Sequence, residues 1–227
     1  PSSHQATKTP CDIDLVQHVA DALASRAAGA ICPEDELFWY QSLVGALLYA
    51  AVNTRPDVAY AVGMLCRAMC CPTPELYEDG LRVLFYLHRH RDIGLTYEAD
   101  QSPLAGFSDS DWAVKHSTSG WLFTYSRAVV TWVSKKQQSI ALSSCEAEVM
   151  ALSEACKDGV YLDTFLEELQ LKVEGDAPPV VYGNNRGAND LAYNSEHHQR
   201  TKHIDRRYFW VRELVENMKL SVAYVNT

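Results

Sequence analysis

The chain has 227 residues, with 29 acidic side chains against 20 Lys and Arg, and its formal net charge is −9. Apolar residues make up 47% and charged residues 22%, which allows one large or two small folded domains and excludes wholesale disorder. The acidity argues against a nucleic-acid binder held by bulk positive charge.

Neither a membrane protein nor a disulfide-stabilised protein fits this sequence. No apolar run approaches the ~18 residues that a membrane-spanning helix needs, and residues 1–4 lack a basic region leading into an apolar one, so we expect no membrane partner. The seven cysteines are odd in number and no two are spaced Cys-x-x-Cys. This pattern predicts reduced thiols in an intracellular, reducing compartment.

The first hundred residues are predicted to be mainly helical. A weak helix is expected over residues 21–30 and an acidic loop over 32–36, and three stronger helices follow. Prolines at 56, 72 and 74 separate these three because proline is tolerated only in a first helical turn. Their expected inward residues are Leu43, Leu47 and Ala50 in the first, Val58, Val62, Leu65 and Met69 in the second, and Leu76, Val83, Leu84 and Leu87 in the third, which runs from about 75 to 90.

After Pro103 the pattern changes to strands and then to a long helix. Three strands in a meander are predicted over 104–108, 120–125 and 128–134, with a turn at Ser126-Arg127. The helix opens with a capping box, in which Ser143 accepts from the N–H of residue 146 and Glu146 reaches back to that of residue 143. The residues expected to face inward on this helix are Val149, Leu152 and Cys156.

The remaining elements complete a mixed five-stranded α/β sheet. A buried strand is predicted over 180–182, a short helix over 185–193 and a last strand over 220–225. Between the last two lies a further helix, with one face marked by Ile204, Tyr208, Val211, Val215 and Met218. The order is βββαβαβ, so the strand after the long helix should lie parallel to the first strand.

This topology brings polar side chains together at two neighbouring strand ends. Asp109 and Asp111 follow the first strand, and Asn184 follows the strand beside it, where ligands of open α/β sheets collect. Glu146 is occupied as a cap, which leaves Glu148 to point at the strand ends. A site of Asp, Glu and a further oxygen ligand suits Mg²⁺. From the residues alone, turn formation at Asp109, a solvated Glu148 and an N-cap at Asn184-Asn185 stay open as alternatives.

Seven strings between residue 38 and the end of the chain carry a family resemblance. They occupy residues 40–49, 53–59, 108–113 (Ser108-Asp109-Ser110-Asp111-Trp112-Ala113), 117–120, 134–137, 142–148 (Leu142-Ser143-Ser144-Cys145-Glu146-Ala147-Glu148) and 200–205. In order and spacing they resemble the C-terminal part of copia-type retrotransposon polyproteins. The resemblance implies a helical thumb or connection remnant of a reverse transcriptase over 1–100 and a ribonuclease H-like α/β domain over 101–227.

The resemblance also implies a function and its impairment. It places two metal-binding carboxylates on Asp109 and Glu148, which in such enzymes hold two Mg²⁺ ions that hydrolyse the RNA strand of an RNA:DNA hybrid. The third carboxylate falls on Asn184, and the fourth would lie past Thr227. A neutral amide in place of one charge and the loss of another lead us to expect little or no hydrolytic activity.

Partners follow from the same resemblance. Arg200, Lys202, His203 and Arg206 are expected to contact the hybrid, although a solvated helix face is an equal alternative. Binding should be weak and salt-sensitive unless Mg²⁺ or the remainder of the polyprotein helps. The competing interpretation is a catalytically dead module kept as a binding or structural subunit of a larger assembly. The expected location becomes the cytoplasm or a virus-like particle, with an organelle or the nucleus also open.

Overall fold

The computed structural model describes residues 8–99, 102–113, 116–172, 177–193 and 205–226. The chain divides into two compact units, Pro1–Leu95 and Thr96–Thr227. Among the helices within the described ranges, none is both long and apolar enough to cross a membrane.

The first unit is built of helices, which confirms the predicted helical character of this part of the chain. Its elements are α1 (Leu15–Ala27), α2 (Glu34–Asn53), a 3₁₀ turn (Pro56–Val58), α3 (Ala59–Cys66) and α4 (Pro74–Arg89). They enclose one apolar core. The hydroxyl of Tyr40, which is fully buried, donates to the carbonyl of Leu65 across 2.9 Å and so ties α2 to α3.

Two local predictions for this unit are wrong at their boundaries. The weak helix begins at Leu15 rather than at residue 21. The predicted acidic loop is instead the first turn of α2, which contains Glu34, Asp35 and Glu36. Negative charge is favoured there because the N-terminal N–H groups of a helix carry partial positive charge.

The inward faces of α2 and α4 also differ from prediction. The buried residues of α2 are Tyr40, Val44, Leu47 and Ala51. Leu47 is therefore buried as predicted and Leu43 packs against the same core, but Ala50 is only half-buried and Ala51 takes the buried position. Along α4, Asp79 and Gly80 take inward positions, and Leu84 is 43% exposed rather than buried. The two helices approach closely at Gly80, because a Cβ there would lie 2.8 Å from Leu43 Cδ2.

A buried fork of hydrogen bonds holds the start of α3 to the end of α4. Arg55 is 7% exposed and donates through Nε and Nη2 to both carboxylate oxygens of Asp57, at 2.9 and 2.7 Å. Its Nη1 donates to the carbonyl of His90 at 3.0 Å. Bidentate pairing of this kind fixes geometry as well as charge.

The second unit is a five-stranded mixed sheet with helices. Its elements are β1 (Ala105–Asp111), β2 (Thr118–Tyr125), β3 (Ala128–Lys136), α5 (Ser144–Glu168), β4 (Val180–Gly183), α6 (Arg186–Leu191), α7 (Asp205–Glu216) and β5 (Ser221–Tyr224). The strand order is β3-β2-β1-β4-β5. β2 pairs antiparallel with both β1 and β3, and β4 pairs parallel with both β1 and β5. This confirms the predicted βββαβαβ order and the ribonuclease H-like fold class.

The hairpin between β2 and β3 turns where the sequence predicts. Tyr125 pairs with Ala128, so two residues form the loop, and both have positive φ, 49° at Ser126 and 63° at Arg127. Positive φ at both central residues is the type I′ pattern, whose twist matches that of the flanking strands.

Helix α5 begins at its predicted cap. Ser143 Oγ accepts from the N–H of Glu146 at 3.1 Å, and Glu146 accepts from the N–H of Leu142 at 2.7 Å, one residue before the predicted partner. The three residues expected to face inward are buried. The Phe123 ring lies against Gly106 of β1 and Gly159 of α5, where a Cβ would come within 3.0 Å of it. Two glycines therefore let helix and sheet close over one aromatic ring.

The last helix is shorter than its predicted face. α7 ends at Glu216, and Met218 lies beyond it with φ of 52° and 79% exposure. Val211 is buried as predicted. Ile204 and the side chain of Tyr208 lie outside the described part of the chain.

Candidate active site

The site begins where β1 and β4 end side by side. β1 continues to Asp111, beyond the predicted end at residue 108, so Asp109 and Asp111 alternate onto one face and both are exposed. Ser108 is paired with Gly183 of parallel β4, and the residue after each is therefore a neighbour of the other. The sheet thus brings Asp109 and Asn184 together, as the topology predicts.

A direct hydrogen bond joins these two residues. Asn184 Nδ2 donates to Asp109 Oδ1 at 3.1 Å, and the N–H of Ser110 donates to the same oxygen at 2.9 Å. One carboxylate oxygen of Asp109 therefore already has two donors. The amide at residue 184 faces Asp109 with its hydrogen-bearing nitrogen, which is the end that repels a cation.

Glu148 reaches the same site from the second turn of α5. It is half-buried, and burial first, then the negative charge of Asp109, raise the pKa of Glu148 to about 7. Each effect disfavours a second negative charge beside Asp109. Asp109 and Glu148, chosen from topology and from the resemblance, are therefore close enough for their charges to interact.

Few side chains at this site can act as ligands for divalent ions. Asp109 and Glu148 are the hard anionic ligands that Mg²⁺ prefers, and Asn184 could add one carbonyl oxygen only after its amide rotates. Over the described ranges, no group of three or more His, Cys, Asp or Glu side chains is arranged to hold a metal. These residues fit one hard cation, with an amide where a third carboxylate would complete the group.

Neighbouring asparagines hold the end of β4 in place. Asn185 Oδ1 accepts from the N–H of Ala188 at 3.0 Å and caps α6, which was the predicted alternative for this pair. Asn189 is 6% exposed, and its Nδ2 donates to the carbonyls of Gly183 at 3.0 Å and Ala223 at 3.1 Å. A Cβ at residue 183 would lie 2.7 Å from Asn189 Oδ1, so glycine is needed there.

Sequence reasoning missed Asn189. Asn189 lies within the six-residue helix that follows β4. In the sequence, an asparagine at such a position looks the same whether its side chain is buried or at the surface. Its partners are two strand carbonyls, one of them 34 residues further along the chain. A contact of that separation becomes visible only in the folded chain.

The predicted substrate contacts divide into two groups. Arg200, Lys202 and His203 lie outside the described residues. Arg206 is on α7 and is exposed, so its side chain is available to a ligand. Its role in substrate binding stays a prediction, as do the metal roles of Asp109 and Glu148.

Comparison with known proteins identifies relatives along most of the chain. A retrovirus-related Pol polyprotein from transposon TNT 1-94 of Nicotiana tabacum is 41% identical over 192 residues, which are 83% of this chain but 14% of the polyprotein. A protein named secreted RxLR effector protein 161, from Plasmopara viticola, is 46% identical over 128 residues, which are 54% of this chain and 90% of that protein. The chain therefore spans about a seventh of the tobacco polyprotein. No protein-family model matches it.

Solved structures match this chain at much lower identity. A foamy viral protease-reverse transcriptase, in complex with double-stranded DNA, matches 95% of this chain and 35% of its own, with a TM-score of 0.50 and 12% identity. LC11-RNase H1, in complex with an RNA/DNA hybrid, matches 55% of this chain and 86% of its own, with a TM-score of 0.42 and 14% identity. The chain belongs to the family of retrovirus-related Pol polyproteins of copia-type transposons, and it contains their ribonuclease H-like domain.

Proposed function

We propose that the second unit is a ribonuclease H domain directed at the RNA strand of RNA:DNA hybrids, and that this chain has little or no hydrolytic activity. The family relationship and the fold support the substrate class. The contact between Asn184 and Asp109 supports the loss of activity, because an amide donor stands where a third carboxylate would bind metal.

Mg²⁺ is the proposed cofactor, with Asp109 and Glu148 as its protein ligands. When bound, Mg²⁺ would supply a water of lowered pKa and stabilise charge on the phosphodiester. Two donors, the Asn184 amide and the N–H of Ser110, compete with a cation for one carboxylate oxygen of Asp109. The weakened ligand set predicts weak metal affinity, and one ion is held more readily than two.

A cleavage assay tests this proposal. The full chain, Asn184→Asp and Asn185→Asp are each incubated with Mg²⁺ and a hybrid whose RNA strand is labelled. We expect the unmodified chain and Asn185→Asp to remain at background and Asn184→Asp to exceed them by about a hundredfold or more, the size typical of one electrostatic group in a site. Asn185→Asp is matched, since it adds the same charge one residue away and keeps the cap of α6.

Two other results would contradict this proposal or favour its alternative. Robust Mg²⁺-dependent cleavage by the unmodified chain would contradict the proposed inactivity. An inactive but well-folded Asn184→Asp variant, also inactive when extended at its carboxyl end with the corresponding segment of the tobacco polyprotein, would instead favour a binding or structural module. The remainder of the polyprotein is the proposed partner in either case.

The state of the thiols supports an intracellular location in a reducing compartment. All seven cysteines are free, and Cys71 and Cys156 are buried. Burial raises the pKa of the Cys156 thiol to about 12, so it is unreactive at neutral pH. Full labelling of seven thiols after denaturation of protein purified without reductant would agree with this location.

A further inference from the structure

A pocket in the second unit lies outside the group of Asp109, Glu148 and Asn184. It has a volume of about 130 Å³ and is formed by the start of β2, the end of β3 with the segment that follows it, the first half of α5 and the start of α7. Its floor includes Ser119 and Gln137, which are 2% and 6% exposed and are joined by a hydrogen bond of 2.9 Å. A polar, buried floor of this kind suits a polar ligand.

The charge of the lining is opposite to that of the whole chain. Lys135, Lys136 and Arg207 line the pocket with a single carboxylate, Glu154, whereas the chain carries a net charge of −9. Glu154 is also engaged from outside the lining, because Lys157 binds its Oε1 at 2.7 Å while Lys135 binds its Oε2 at 3.1 Å. The pocket is therefore a local cationic site, and local charge acts within about a Debye length whatever the net charge.

One of the cations is held in position before any ligand binds. The Lys135 ammonium lies 4.7 Å from the centre of the Trp121 ring, and Glu154 contacts it on α5. A fixed ammonium loses less conformational entropy on binding than a freely rotating one. Lys136 and Arg207 complete the rim from β3 and α7.

The sheet register gives the distance from this pocket to the candidate active site. Ser110 of β1 pairs with Ser119 of β2, and Ser119 pairs with Lys135 of β3. Two strand spacings, about 10 Å, separate the backbone of Lys135 from that of β1. Lys135 lies on the face of Ser110 and Asp109 on the opposite face, so the two sites meet at the edge of the sheet where β1 and β3 both end. A nucleic-acid strand presents one phosphate for every ~3.4 Å of helix axis, so a strand at Asp109 carries phosphates within reach of the pocket.

We infer that the pocket of Lys135, Lys136 and Arg207 binds a backbone phosphate of the nucleic-acid strand that lies at Asp109 and Asn184. The inference deepens the proposed function and rests on it for the choice of nucleic acid as ligand. Phosphate contacts of this kind position a strand without reading its sequence. The pocket would therefore hold a hybrid in register even where the Asn184 amide prevents cleavage.

Binding measurements on the full chain test the inference. Fluorescence anisotropy is measured at several salt concentrations with an RNA:DNA hybrid, a DNA duplex and the single strands, for the unmodified chain, Lys136→Gln and Arg207→Gln. We expect each variant to weaken binding by the same factor for every sequence and to lower the slope of log K against log salt by about 1. Arg127→Gln is the matched control, because it removes one positive charge at the opposite end of the β2–β3 hairpin and should leave the slope unchanged.

A second measurement separates this inference from the proposed function. Inorganic phosphate is titrated into the ¹⁵N-labelled chain at constant ionic strength, and we expect the backbone amides of Gln138 and Ser139 to shift, with loss of the shift in Arg207→Gln. Unchanged slopes in both variants, or phosphate shifts with no polynucleotide binding, would overturn the inference. Equal affinity of the unmodified chain for hybrid, duplex and single strands, together with the expected variant effects, would support the pocket while removing the hybrid preference from the proposed function.

Discussion

The Asn184→Asp variant is expected to destabilise the second unit until a divalent cation is added. In the present chain, Asn184 Nδ2 donates to Asp109 Oδ1 across 3.1 Å. Glu148 already has a pKa raised to about 7, by burial and then by the charge of Asp109. The substitution turns a hydrogen bond into a contact between like charges and adds a third carboxylate to the site.

The magnitude follows from the distance. Two unit charges 3.1 Å apart repel by roughly 5 kcal/mol at an effective dielectric constant of about 20. Asp109 is exposed and Asn184 is half-buried, so water screens much of this repulsion. We expect the free energy of unfolding without divalent ions to fall by about 1 to 2 kcal/mol. Mg²⁺ should restore it, because a ligand that binds only the folded chain adds to its stability.

Urea unfolding in EDTA and in Mg²⁺ is the assay, followed by tryptophan fluorescence. Four of the five tryptophans lie in the second unit, so the signal reports mainly on that unit. The control is Asn185→Asp, which should change stability by less than about 0.5 kcal/mol because Asp and Asn cap helices equally well. The reasoning is refuted if Asn184→Asp is as stable as the unmodified chain in EDTA, or if Mg²⁺ stabilises both variants equally.

Two further predictions concern stability. Gly106→Ala places a Cβ within the Phe123 ring and should cost about 1 to 3 kcal/mol in urea unfolding, whereas Gly120→Ala, whose nearest contact is 3.9 Å away, should have little effect; equal costs would contradict the packing described. His18 Nδ1 lies 2.8 Å from Asp79 Oδ2, and this hydrogen bond raises the pKa of His18. The stabilisation is therefore full below the unfolded pKa near 6.5 and is lost as pH rises through the higher folded pKa. We expect the free energy of unfolding of the unmodified chain to fall by up to about 1 kcal/mol over this pH range. His18→Gln should not show this fall; if its pH profile is the same as that of the unmodified chain, the pair of His18 and Asp79 is not the cause.

The sheet is predictable because its signals are local. Two β-rich runs separated by Ser126-Arg127 specify the hairpin, and Ser143 followed by Glu146 specifies the start of α5. The buried face of α2 is not predictable in the same way. Apolar residues surround that helix, so Leu43 and Val44 are both reasonable inward residues. In the fold Val44 is buried, and Leu43 is half-buried against Gly80 of α4.

The candidate site shows the same limit at a finer scale. Topology places Asp109 beside Asn184 because the ends of parallel neighbours meet at one edge of the sheet. The orientation of the amide depends on the free electron pairs of Asp109, which no sequence pattern specifies. Lys135 and Lys136 are adjacent in the sequence, but Arg207 joins them in the pocket through a helix that begins about 70 residues later.

The double hydrogen bond of Asn189 has a consequence for the order in which the site forms during synthesis. Its amide joins the end of β4 to β5 only when the carbonyl of Ala223 is present, and β5 pairs directly with β4. A ribosome that has released the first four strands has therefore not yet released the partner that anchors Asn184. A nascent chain stalled before β5 would therefore carry Asp109 and Glu148 but lack one of the two contacts that hold the end of β4, and with it Asn184, in place.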